Sequence, residues 1–159
     1  MKFVSRLLSF ALLAGAALFY SSCGGDGGET KSEEQTQLEG LSKTWSLTSA
    51  DLGGDPRTTD FPNLKLTLSG AFAAGGTYNY SFTGTTPTPS PWPRSGKWKF
   101  GSTISTQIIR DPATDAFPME YSLSGNTLTI EFTCTACDYD GGSRVSSANG
   151  DWTFVFTGS

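Results

Sequence analysis

Apolar and polar residues alternate along most of this chain with a period of two. Trp45 and Leu47 share one face of TWSLTS, and Leu64, Leu66 and Leu68 share one face of LKLTLS. The same holds for Tyr78, Tyr80 and Phe82, for Trp98 and Phe100, and for Met119, Tyr121 and Leu123. Leu128, Ile130, Phe132 and Cys134 line up in TLTIEFTC, and Trp152, Phe154 and Phe156 in DWTFVFT. TISTQIIR offers Ile104 and Ile108, with Ile109 blurring its face. This period belongs to strands with one buried face, and no window carries a capped helical pattern. Eight such segments predict an all-β domain, either a sandwich or a closed barrel.

The spacing of the segments favours the barrel. Connections 70–76, 101–103 and 124–126 are short or Gly-rich, as hairpins are. The connections after the first, third and seventh segments each run to about a dozen residues, longer than a hairpin loop needs, and DPATDAFP is intermediate. In an up-and-down meander alternate connections share an end, so one elaborate rim stands opposite one tight base. The last strand then pairs with the first and no edge is left open. The expected fold is an eight-stranded antiparallel up-and-down β-barrel over residues 40–159.

The N-terminus has another character. Lys2 and Arg6 precede an apolar run from Leu7 to Tyr20, then Ser21, Ser22 and Cys23. The run is too short for a spanning helix, which needs about 20 apolar residues, and residues 1–22 read as a signal peptide. The cysteine behind two small residues resembles the lipobox of bacterial lipoproteins. That resemblance implies lipidation of Cys23 with palmitate-like acyl chains and a place in the bacterial cell envelope. Such a protein is held on the outer membrane, at its periplasmic or surface side. Residues 23–39 carry five acids against Lys31 and read as a flexible acidic tether.

Composition narrows the function. The barrel segment holds eight Lys and Arg against ten Asp and Glu, so no basic patch invites nucleic acid. The chain has no histidine, which removes Ser-His-Asp and Cys-His catalysis and the commonest metal ligand. The expectation is a protein that is not an enzyme, with no cofactor and no metal.

LSKTWSLTS, SGKW, SGNTLTIEF and GDWTFVF, from about Leu41 to Thr157, resemble the lipocalin-like domains of small bacterial lipoproteins. The resemblance implies the same barrel. It also implies an arginine stacked over the first-strand Trp45, for which Arg110 and Arg144 are the candidates.

Two uses of such a barrel stay open. In one, Tyr78, Tyr80, Trp98, Tyr121 and Phe132 line a cavity for a small apolar or amphipathic ligand, with Phe61, Trp92, Phe117 and Tyr139 at the rim. In the other, aromatic side chains fill the interior outright, since each buries about 150–250 Å². The rim loops then meet an envelope protein or a glycan. Trp92 sits among Pro87, Pro89, Pro91 and Pro93, which predict a stiff, extended run; its ring is either a lid or a packed strut.

Two small constellations complete the reading. A turn at Gly125-Asn126 sets Glu120 opposite Glu131 on the outer face. Glycosidases use such a carboxylate pair, but a convex wall without a cleft points to solvated acids arranged with surface cations. Cys134 and Cys137 lack the further ligands a zinc site needs and the helix N-terminus of a redox pair. In an oxidising compartment they are expected to join as a disulfide, with the chain turning at Thr135-Ala136 because cysteines three apart in a strand stand too far away.

Overall fold

The structure is a computed structural model and describes residues 30–135, 137 and 148–159. The proposed signal peptide, Cys23, Tyr139 and Arg144 lie outside the described residues. The strands are β1 (Thr44–Leu52), β2 (Asp55–Pro56), β3 (Lys65–Ser69), β4 (Tyr78–Thr83) and β5 (Ser95–Phe100). After them come β6 (Gln107–Arg110), β7 (Phe117–Ser124), β8 (Thr127–Cys134) and β9 (Gly150–Gly158). From β3 on each pairs antiparallel with the next, β1 pairs antiparallel with β3 and β9, and the two-residue β2 is a spur folded back on β1. The eight long strands therefore close into the up-and-down barrel that the alternation predicts.

Registers follow from one-sided burial. Tyr121 stands opposite Ile130 and Leu123 opposite Leu128, as a turn at Gly125-Asn126 requires. A slip of one residue would turn each apolar set out to water. In β1 the phase changes: Leu47 faces Phe156, but Ser49 already faces Val155. This bulge at Thr48 brings Ala50 into the core and sets Leu52 opposite Trp152, where strict alternation would have put Ser49 and Asp51 inside. The sixth segment is shorter than predicted. Ile104 belongs to a turn in which Thr106 and Gln107 both donate to the Thr103 carbonyl.

One helix, α1 (Glu33–Leu41), forms where the sequence reads as tether. Ser32 caps it by accepting from the Gln35 N–H, and Glu33 and Glu34 sit in the first turn, where carboxylates suit the helix dipole. Leu38 and Leu41, three apart and hence on one face, are 2 % and 1 % exposed. Trp45 Nε1 donates to the Leu41 carbonyl at 2.9 Å. Gly40 lies against β7 so closely that a Cβ there would stand 2.8 Å from Leu123 Cδ2. Tertiary burial of two leucines stabilises a helix that its nine residues could not hold alone.

α1 covers the base of the barrel, the end holding the β3–β4, β5–β6 and β7–β8 connections. The long β1–β3 and β4–β5 connections lie at the other end, the mouth, with the β6–β7 turn and the described part of the β8–β9 connection.

Candidate functional site

The mouth is built around Trp92. Its connection is tied at the stem by Arg94, which donates to the Gly84 carbonyl at 2.8 Å and to Thr86 Oγ1 at 3.1 Å. Within it the buried Ser90 hydroxyl donates to the Trp92 carbonyl at 2.8 Å and accepts from its N–H at 3.3 Å. The proline run therefore does not continue straight: it folds inward and carries the indole into the barrel, leaving it 4 % exposed. The driving force is ring contact. Trp92 meets Phe82 at 5.1 Å, Phe132 at 5.4 Å, Phe154 at 6.0 Å and Tyr80 at 6.1 Å between centroids, all edge to face. Of the two roles open to it, the ring fills that of packed strut.

The other rim aromatics join this cluster. Phe61 is 3 % exposed and sits edge-on to Trp152 at 5.8 Å and Phe154 at 5.2 Å. Phe117 is half-buried and meets Phe132 at 5.7 Å. Phe61, Trp92, Phe117 and Phe132 thus come together. Tyr78, Trp98 and Tyr121 form a second cluster through Phe100, with Tyr78 and Trp98 5.0 Å apart.

The inward tyrosines do not open toward a wet mouth as a group. The Tyr78 hydroxyl donates to Glu34 Oε1 at 3.3 Å and the Ala73 carbonyl at 3.1 Å. Tyr121 donates to Gln37 Oε1 at 3.2 Å and to the Ile104 carbonyl. Both point to the base, two of the acceptors coming from α1. Tyr80 alone turns to the mouth, donating to Asp111 Oδ2 at 3.2 Å. Burial raises the pKa of all three phenols; the Glu34 charge adds to the effect at Tyr78 and the Asp111 charge at Tyr80.

Beside Tyr80 lies a group that sequence reasoning placed elsewhere. Arg110 does not stack on Trp45; Lys43 does, its Nζ 4.5 Å from the ring centroid. Arg110 is paired with Trp98 in register, so it faces inward, and it is only 1 % exposed. Its guanidinium lies 4.4 Å over the Phe117 ring, with Nε 3.2 Å from Asp111 Oδ2 and a terminal nitrogen 3.9 Å from Asp115 Oδ2. Asp111 adopts φ +46°, a conformation Asp tolerates better than most residues, and its Oδ1 accepts from the Lys97 N–H at 3.0 Å. One carboxylate thereby joins β4, β5 and β6 below the rim. Once the facing of β6 is known the pair follows: a cation at an inward position demands a counter-charge, and Asp111 is the next residue.

Outside the barrel, Glu120 and Glu131 do stand opposite each other. Their neighbours differ from expectation. Gln107 Nε2 donates to Glu120 at 3.2 Å and Thr153 Oγ1 to Glu131 at 3.4 Å, an amide and a hydroxyl in place of cations. The wall is not featureless either, because an open cleft of about 620 Å³ runs past these acids, with Asp151 and Phe117 also on its lining. Among the described residues no group of three or more Cys, Asp or Glu is placed to hold a metal ion.

Cys134 and Cys137 stand at disulfide-bonding distance, their Cα atoms 5.6 Å apart and both side chains buried. β8 ends at Cys134, as such a pairing requires. Comparison with known proteins finds no matching family model, no matching curated protein and no matching solved structure.

Proposed function

We propose that this protein is a bacterial lipoprotein held on the cell-envelope membrane through acylated Cys23. Its barrel, of lipocalin-like type, works as an interaction module and not as a carrier. The observation behind this reading is the position of Trp92. Its ring touches Phe82 of β4 and Phe132 of β8, strands four places apart in a ring of eight. Such a contact spans the diameter and occupies the space in which a lipocalin holds its ligand.

The surface left for recognition is the mouth and the adjoining outer cleft. There the half-buried Phe117 stands beside Glu120, Glu131 and Asp151, a mixture of ring and carboxylate that suits an envelope protein or a glycan. The chain enters the barrel through α1 at the base, so an anchor at Cys23 leaves the mouth turned from the bilayer.

Native mass spectrometry of the mature protein, released from membranes in mild detergent, tests this. The expected mass is that of the acylated chain alone. A small molecule released on collisional activation restores the carrier reading. Cys23→Ala is expected to move the protein from the membrane to the soluble fraction, and a variant that stays bound contradicts the anchor.

A further inference from the structure

We infer that the β3–β4 loop, with Phe72 exposed on it, is a second membrane contact that rests in the interfacial layer of the bilayer beside the lipid anchor. The inference rests on the anchored reading of Cys23. Phe72, 39 % exposed, is the large apolar side chain that the described structure leaves most open to water. Ala71, Ala73 and Ala74 around it are exposed too, and no charged residue occurs from Ser69 to Tyr80.

The loop is held in this arrangement. Gly76 N–H donates to the Ala73 carbonyl at 2.8 Å, and the Tyr78 hydroxyl donates to the same oxygen at 3.1 Å. A Cβ at Gly70 would stand 2.9 Å from Tyr78 Cδ1, so the loop also begins at a close approach. With the Ala73 carbonyl and the Gly75 and Gly76 N–H groups bonded within the protein, the loop presents methyl groups and a phenyl ring outward.

Its place selects the partner. The Gly75 N–H donates to both carboxylate oxygens of Glu34, each at 3.1 Å, which fastens the loop to the first turn of α1. The loop therefore projects from the end at which the chain arrives from Cys23. Eight residues lie between Cys23 and the Ser32 cap, a span of nine residue steps, so an acylated Cys23 holds that end within about 32 Å of the bilayer. The acyl chains fix one point to the bilayer but leave the domain free to swing, and a further apolar contact adds affinity and orients it. Glu34 is bonded to the loop and Glu33 precedes it in the first turn of α1, so the matching surface is zwitterionic lipid and not anionic lipid.

The test couples the mature chain, produced without acylation, through the Cys23 thiol to a maleimide lipid in phosphatidylcholine vesicles containing brominated acyl chains. Phe72→Trp adds an indole on the loop, and Thr59→Trp adds one at the exposed mouth as a control. The four native tryptophans are buried and supply the common background, and their unchanged blue emission reports that each variant is folded. The expected result is bromine quenching of Trp at 72 at least threefold stronger than at 59. Equal quenching, no quenching, or stronger quenching at 59 overturns the inference. Acylation of Cys23 is read separately, from the mass of the N-terminal peptide of membrane-extracted protein, so a failed anchor and a failed loop contact give different results.

Discussion

The Trp92 ring stands 5.4 Å from that of Phe132 and at 85° to it, an edge-to-face pair between the β4–β5 connection and the far wall of the barrel. A strut in this position is part of the core. Trp92→Ala is expected to destabilise the protein by about 3–5 kcal/mol in urea titrations, the range for removing a buried aromatic ring. A loss below about 0.5 kcal/mol, usual for surface positions, would show that the ring is a loose lid.

α1 closes the base by burying Leu38 and Leu41. Either residue changed to Ala is expected to cost about 2–5 kcal/mol, and Ser32→Ala about 1 kcal/mol through its cap. Thermal denaturation of the three variants checks this. An unchanged midpoint in all of them would return the segment to the role of a passive tether.

Asp111 forms an ion pair with Arg110 and accepts a hydrogen bond from Tyr80. Asp111→Asn keeps the side-chain shape and suits the positive φ, but removes the charge that Arg110 faces. The expected cost is about 3 kcal/mol, at the low end for breaking a buried pair because Asp115 remains nearby. The same variant should lower the Tyr80 pKa, since the Asp111 charge helps to raise it. Ultraviolet titration of the phenols reads that shift, and an unmoved alkaline transition contradicts the arrangement.

Tyr78, Tyr80 and Tyr121 have native pKa values raised above the ordinary phenol value of about 10. Above that pH the unfolded chain loses phenolic protons that the folded chain keeps, so the unfolded state binds fewer protons and stability falls as pH rises. Urea midpoints are therefore expected to decline above about pH 10 without a decline of phenolic origin below it. Tyr80→Phe and Tyr121→Phe should each make that decline shallower. An unaltered slope in both would exclude buried phenols as its cause.

The barrel was readable because each strand buries one face, and that requirement writes itself into the sequence as alternation. The bulge in β1 was not readable: one extra residue at Thr48 reverses the phase without changing composition. α1 escaped notice because its two buried leucines lie among Glu, Gln and Thr, although Ser32 and Gln35 carry a capping pattern. Phe61, Trp92 and Phe117 were recognisable as rim residues and Phe132 as an inward one, but the prolines around Trp92 constrain backbone angles and say nothing of where the indole goes. Arg110 was misplaced because adjacent Ile108 and Ile109 left the facing of β6 open, and its partner Asp111 was missed with it.

Titration with a fluorescent long-chain fatty acid tests the filled barrel most directly. The native protein is expected to show no saturable binding, and Trp92→Ala, where it remains folded, to gain an internal site. Saturable one-to-one binding by the native protein, competed by unlabelled fatty acid and unaffected by the Trp92 change, would contradict the account.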